Sequence, residues 1–274
     1  IMRLSQGHLN LLATCPRKFQ HTFLEQLGSP TTPEQQEKQA WGSRFHLLMQ
    51  QRELGLPIES LVAEDEQLQH WVTALVSAAP EILTPNPNRE TFRESEHCRT
   101  FNFQDYLLTV IYDLLIADTH SAQILDWKTY PNSQNRRWLA QNWQTRLYLY
   151  VMAETSDYSP EQISMSYWFV QSQPEPTSLT FNYNSGLHEQ TRRDLSRLFN
   201  QLTDWLQRYE RGEEFPQEPE NARSCDFCQF AVRCLGESDR LQSKTVGDRA
   251  AETRELATTG NWISNLANIQ EVSL

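Results

Sequence analysis

Three residues stand out for the chemistry they could do together: Asp113, Asp126 and Lys128, in the stretch D-L-L-I-A-D-T-H-S-A-Q-I-L-D-W-K. Apolar runs at 107–117 and 123–128 flank a polar turn, the pattern of an antiparallel hairpin. With Asp118 and Ser121 closing the turn, equal steps back and forward along the chain bring Asp113 opposite Asp126. Lys128 is two residues beyond Asp126 and shares its face. Like charges facing each other across a hairpin are destabilising. Two carboxylates placed there imply something held between them, and a divalent cation such as Mg2+ suits carboxylate oxygens and water. An ammonium group alongside can orient a water molecule and stabilise charge developing on a phosphate. The plainer reading is two unrelated aspartates on a polar hairpin face.

The elements that must position these groups follow from periodicity. Residues 92–103 read as a strand carrying Glu94 and Glu96 on one face, and a turn at 102–105 leads into the hairpin, making a three-stranded meander. Either glutamate could add a carboxylate to the site or face solvent. A helix over 34–53 carries Gly42-Ser43-Arg44-Phe45-His46. Its glycine lets another backbone approach, and His46, one turn on, is either a ligand or a hydrogen-bonded core residue. Pro131 and Asn132 open a polar loop, and a helix over 137–154 buries Leu139, Trp143, Leu147, Tyr150 and Val151. Arg137, Gln141, Gln144 and Tyr148 form another face of that helix. A Gln and a Tyr one turn apart suit either a nucleic-acid backbone or a half-buried helix edge.

Elsewhere, Ser5 is placed to cap a helix bearing Leu9, Leu11 and Leu12, and 67–79 forms an amphipathic helix. Loops fall at 28–33 and 84–88, strands at 163–171 and 178–183, and a long helix at 188–210. From 237 to 274 the chain reads as a polar tail with one helical piece.

Composition narrows the class. The 274 residues are 38% hydrophobic with 8 Trp, which fits a soluble globular protein with a substantial core. No stretch approaches a membrane span and the start does not read as a secretion signal, so a cytoplasmic location is expected. A net charge of −11 argues against a broadly basic nucleic-acid coat. Local basic points remain at Arg136 and Arg137 and at Arg192 and Arg193, consistent with a weak or partner-assisted grip on a polyanion.

There are 5 cysteines, and in a reducing compartment they are not read as disulfides. Cys225-x2-Cys228-x5-Cys234, with Cys15 far upstream, supplies four soft ligands for zinc or an iron–sulfur cluster. Such a group would staple the two ends of the domain, with Phe227 and Phe230 shielding it from water. The bland alternative is a set of reduced structural thiols. Cys98, in a strand-like run, is expected to be a plain buried thiol.

Together these residues resemble the PD-(D/E)XK nuclease superfamily, in the RecB-type branch shared with AddB and the CRISPR-adaptation nucleases, over roughly residues 1–236. Gly42-x3-His46 is similar to the family's first helix motif, Asp113 to its lone acidic residue, Asp126-Trp127-Lys128-Thr129 to its D-x-K-T signature, and Gln144-x3-Tyr148 to its Q-x3-Y helix. Cys15 in C-P-R-K-F, with C-x2-C-x5-C, is similar to the 4Fe–4S staple of the iron–sulfur members.

The resemblance implies an α/β fold with a central mixed β-sheet flanked by helices, a restriction-endonuclease-like core whose N- and C-terminal parts are joined by a four-cysteine cluster. It implies Mg2+ or Mn2+ held by His46, Asp113, Asp126 and the carbonyl of Trp127, with Lys128 positioning the attacking water. Glu96 fits the upstream acidic residue better than Glu94. Gln144, Tyr148, Arg44 and Arg137 would contact DNA, and a 4Fe–4S cluster on Cys15, Cys225, Cys228 and Cys234 is favoured over zinc. The expected activity is hydrolysis of single-stranded DNA ends in repair, recombination or defence, with a helicase or repair protein as partner. The alternative is a weakly active or inactive nucleic-acid-binding subunit. Two departures concern substrate choice: Val110 stands where the family usually has glycine, and Ile111 and Tyr112 where a basic residue is frequent. The chain has no Walker A loop, hence no motor of its own.

Overall fold

The computed structural model describes residues 1–28, 32–58, 62–63, 65–83, 91–130, 135–219, 224–226 and 228–236. The loop expected at 84–88, Pro131, Asn132, Phe227 and the tail expected at 237–274 lie outside the described residues. In chain order the elements are β1 (Met2–Leu4), α1 (Gln6–Thr14), α2 (Pro16–Phe19), a π-helical turn (Gln20–Leu24), α3 (Pro33–Glu53), α4 (Glu66–Ala78), α5 (Pro80–Leu83), β2 (Phe92–Phe103), β3 (Tyr106–Ala117), β4 (Ala122–Lys128), α6 (Arg136–Gln141), α7 (Trp143–Glu154), β5 (Ile163–Phe169), β6 (Thr177–Asn182) and α8 (Ser185–Glu210). They fall into two compact units, one of 1–6 with 33–195 and one of 7–32 with 196 onward.

The first unit is built on a mixed sheet in the order β1-β3-β4-β5-β6, with β2 on the other edge of β3. β1 with β3 and β4 with β5 are parallel, and the remaining pairs are antiparallel. The hairpin turn lies where the sequence places it: the Asp118 amide donates to the Ser121 carbonyl at 2.9 Å, and Asp118 Oδ1 accepts from the His120 and Ser121 amides. The resulting register pairs Leu114 with Leu125 and Ala117 with Ala122.

β3 alternates along most of its length: Tyr106, Leu108, Val110 and Tyr112 are buried, while the residues between them are half-buried. A regular strand would keep Tyr112 and Leu114 on one face. Instead Tyr112 packs on Tyr148 of α7, whereas Leu114 joins the core of Phe45, Leu48, Leu68, Trp71, Leu125 and Trp127 under α3 and α4. The row between them is where pairing with β2 lapses. Ser95–Leu114 and His97–Tyr112 pair on either side, and Glu96, which would face Asp113, takes a left-handed backbone with φ 51°. Such a local disruption re-aims a side chain out of the strand pattern.

Three features differ from expectation. The helix expected over 137–154 is two, because Asn142 adopts an extended ψ of 140° and its side chain caps α7 by accepting from the Gln144 amide. β1 was not anticipated: three residues pairing in parallel with a distant strand carry no periodic signal of their own. Cys98 is exposed rather than buried, because β2 is an edge strand and this stretch of it turns Cys98 outward.

In the second unit, Arg17 and Gln20 tie the α2 segment to the chain after α8. Arg17 Nε donates to the Phe215 carbonyl at 2.7 Å, and the Phe215 amide donates to Gln20 Oε1 at 2.6 Å. Phe215, 1% exposed, stacks on Phe19 and packs at a tilt against Trp205.

Candidate active site and cysteine cavity

The lapsed row gathers the acidic groups. Ligand atoms of His46, Glu96 and Asp113 all lie within 4.8 Å of one another. His46, from α3, brings Nδ1 to 3.3 Å from Asp113 Oδ1, and the Trp127 amide donates to Asp113 Oδ2 at 2.6 Å. That second bond ties the end of the β3–β4 ladder to the carboxylate itself. Glu94 turns away, exposed and paired with His97 at 2.7 Å. The expectation that Glu94 and Glu96 share a face fails because the left-handed Glu96 breaks the strand alternation.

Asp126, 2% exposed, is held beside that group. Its Oδ2 accepts from Gln144 Nε2 at 2.6 Å, while Gln144 Oε1 accepts from Lys128 Nζ at 2.8 Å. Lys128 Nζ stands 2.7 Å from Asp126 Oδ1 and 5.2 Å over the Tyr167 ring. The ammonium is thus the charge that faces the buried Asp126 Oδ1. Gln144 thus braces the lysine against the aspartate. Tyr167, the ring beneath Lys128, was not singled out in the sequence, where an aromatic in an apolar strand looks like any core residue.

The charges interact strongly. Burial works against a charged His46, but the Asp113 carboxylate outweighs it and pushes the imidazole up to about 9. Burial and the Asp113 charge push the Glu96 carboxyl up to about 7. Burial would raise Asp113 too, but His46, the Trp127 amide and Lys128 hold it below the usual carboxylate range. At Asp126 burial and the charge of Asp113 prevail over Lys128, and the carboxyl is raised. Without a cation, His46 and Lys128 supply the positive charge that this cluster of acids demands.

The remaining candidates are placed as follows. Gly42 lies against the D-W-K-T segment: a Cβ there would sit 3.1 Å from Thr129 Oγ1, so the glycine admits a side chain rather than a backbone. Tyr148 is 1% exposed, its ring edge-on to Tyr112, and its carbonyl accepts from Tyr112 Oη at 2.9 Å. In this arrangement Tyr148 and Gln144 are buried supports of the site rather than surface groups. Arg44 is half-exposed and 3.2 Å from Asp65, and Arg137 is exposed. Trp127 is 3% exposed and turns its ring into the core.

In the second unit Cys15, Cys225, Cys228 and Cys234 line one small cavity with Lys18 and Phe230. Burial pushes the Cys225 and Cys234 thiols up, and the other cysteines add to it. Among the described residues no three of these sulfurs lie within 4.8 Å of one another. Tetrahedral zinc at about 2.3 Å from each sulfur would hold them about 3.8 Å apart. The sulfurs are therefore not drawn in around a single ion. Arg17, two residues after Cys15, is committed to the Phe215 carbonyl and Glu214.

A family model for the PD-(D/E)XK nuclease superfamily matches residues 3–235. The chain belongs to the PD-(D/E)XK nuclease superfamily. A solved structure of a "putative exonuclease" from Eubacterium rectale is 10% identical, covers 84% of this chain and 87% of its own, and superposes with a TM-score of 0.51. It shares the restriction-endonuclease-like fold. The solved structure of SSO0001 is 15% identical over 71% of this chain and 85% of its own, with a TM-score of 0.32, too low to carry an argument. No curated protein matches in direct sequence comparison. Membership of this superfamily makes the chain a nuclease of phosphodiester-hydrolase type acting on nucleic acid, in a family that usually uses divalent metals. Among the described residues no helix is long and apolar enough to cross a membrane.

Proposed function

We propose that this nuclease is a Mg2+- or Mn2+-dependent deoxyribonuclease that hydrolyses phosphodiester bonds at single-stranded DNA ends, in repair, recombination or defence. The observation that carries the metal-dependent reading is the meeting of His46, Glu96 and Asp113 beside the buried carboxylate of Asp126. Asp113, Asp126, His46 and the Trp127 carbonyl would hold the ion, with Glu96 adding a further carboxylate. When bound, the ion neutralises charge that builds on the phosphate. Lys128 orients the attacking water and meets the phosphate charge, held in place by Gln144 and Asp126. Water's oxygen bonds to phosphorus as the bond to the leaving oxygen breaks, and a proton passes from the water to solvent while the leaving oxygen gains one. The preference for single-stranded ends rests on the resemblance to RecB-type domains. Of the proposed DNA contacts, Arg44 and Arg137 have the exposure such a role needs.

We also assign a 4Fe–4S cluster to the cysteine cavity. The supporting observation is that all four thiols line one cavity. The cluster would be structural, fastening residues near Cys15 to those near Cys228.

Digestion of end-labelled single- and double-stranded DNA with Mg2+, Mn2+ or a chelator tests the first proposal. Metal-dependent shortening of single strands is expected, and equal cleavage by wild type and Lys128→Ala would refute the catalytic assignment. Anaerobic purification tests the second: a colourless protein with zinc and no iron excludes the cluster.

A further inference from the structure

His21 lies beside the cysteine cavity, in the π-helical turn Gln20–Leu24, a kind of widened turn common at functional sites. It is 1% exposed. Its Nδ1 is 2.8 Å from Glu25 Oε2, and its Nε2 is 3.6 Å from the Cys234 sulfur. An ionised carboxylate can only accept, so Nδ1 carries a hydrogen and donates it. Glu25 is itself anchored: Gln20 Nε2 donates to Oε1 at 2.6 Å, and Arg233 stands 3.6 Å from Oε2. Burial would raise the Glu25 carboxyl, but Gln20, His21 and Arg233 hold it below the usual range. Phe230 packs against the imidazole with centroids 5.0 Å apart. Anchored on one nitrogen and packed on its ring, the imidazole has one orientation, which aims Nε2 at Cys234.

We propose that His21, oriented by Glu25, is a positioning residue for the metal group of the four-cysteine cavity, hydrogen-bonding through Nε2 to the Cys234 sulfur. This rests on the iron–sulfur reading given above. As a free thiol, Cys234 donates its hydrogen to Nε2. When the sulfur becomes a ligand its hydrogen passes to Nε2, the bond becomes N–H···S, and the Glu25 carboxylate faces the positive charge the ring then carries. Hydrogen bonds of this kind fix the direction of a ligand sulfur and draw off part of its charge. Packing alone would be met by any ring of similar size against Phe230. It gives no reason for Gln20, Glu25 and Arg233 to converge behind this one.

The full chain is compared as wild type, His21→Leu, His21→Gln and Glu25→Gln, each purified anaerobically or reconstituted with iron and sulfide. Three quantities are read: iron content, the rate at which a chelator bleaches the sulfur-to-iron charge-transfer band without air, and the Fe–S(Cys) stretching frequency by resonance Raman. Thermal melting is followed alongside. His21→Leu is expected to lose its cluster about 10-fold faster than wild type and to raise the stretching frequency. His21→Gln, whose amide nitrogen can donate from the Nε2 position, restores much of both, and Glu25→Gln falls between. A wild-type lifetime and frequency in His21→Leu overturns the proposal. Equal losses in His21→Leu and His21→Gln, in step with equal falls in melting temperature, assign a packing role and overturn it as well. Wild-type protein that takes up no iron overturns the iron–sulfur reading itself, and is recognised before any variant is compared.

Discussion

Glu96, Asp113 and Asp126 come from three consecutive strands, so a few residues of hairpin register bring them together. Cys15 and Cys234 stand near opposite ends of the described chain. The first site is assembled by local pairing and is braced without a metal: His46 neutralises Asp113, and Gln144 spans Asp126 and Lys128. The second needs a long loop closed before its thiols meet, and closing such a loop costs chain entropy that the proposed cluster would offset. The two regions should therefore respond differently to loss of the metals proposed for them. The carboxylate site keeps its shape, whereas the cysteine cavity loses part of what holds it together.

The sharpest way to break this contrast is at Lys128. Lys128→Ala should lower cleavage by about 1,000-fold, in the range of a positioned acid–base group. Melting temperature should fall, because the buried Asp126 Oδ1 and Gln144 Oε1 lose their shared partner, while iron content stays at the wild-type value. Steady-state cleavage, a thermal melt and an iron assay measure the three. A variant that loses iron along with activity would show that the two regions are not independent.

Cys228→Ser is the complementary change. Iron should be lost, and 7–32 and 196–236 should become sensitive to limited proteolysis. Mn2+ binding at the carboxylate site, followed by electron paramagnetic resonance, should be unchanged. Loss of Mn2+ binding together with iron would sink the comparison from the other side.

Gln144→Leu tests the brace. Asp126 Oδ2 would be left buried without its donor, at a cost of about 1–3 kcal/mol. Cleavage should fall about 10- to 100-fold, as for other outer partners of metal ligands. A loss of stability with full activity would make Gln144 a packing residue only.

The legible and illegible parts of the molecule divide along the same line. The turn at Asp118 and Ser121 is written in an Asx-type turn between apolar runs, and from it the facing of strands β3 and β4 follows by counting. β2 is recovered with both its ends because its pattern is long and bounded by a clear turn. Besides β1, three things were not legible. Glu96's left-handed backbone has no local signal, since a glutamate has no preference for positive φ. The helix break at Asn142 hides in a continuous apolar pattern, where an asparagine reads equally as a surface position or a cap. The link from His21 to Cys234 crosses most of the chain, and only the i,i+4 spacing of His21 and Glu25 hinted at it.

The smallest expected effect decides what Tyr148 does. The family resemblance puts it with Gln144 as a DNA-facing pair, while the structure buries its ring against Tyr112. Tyr112→Phe keeps that ring contact and removes only the hydroxyl that donates to the Tyr148 carbonyl at 2.9 Å. The carbonyl sits within α7, where the helix supplies it with a backbone donor, so the loss should be about 1 kcal/mol. In a chain of this size that lowers the melting temperature by about 2–4 °C, and cleavage should not change. If cleavage instead falls while stability holds, a hydroxyl with no route to solvent is shaping catalysis. Its only path is through the placement of Tyr148 and hence Gln144, one turn earlier on the helix. The buried pair would then belong to the catalytic apparatus without touching DNA, as a wedge that sets how closely α7 approaches the carboxylate row.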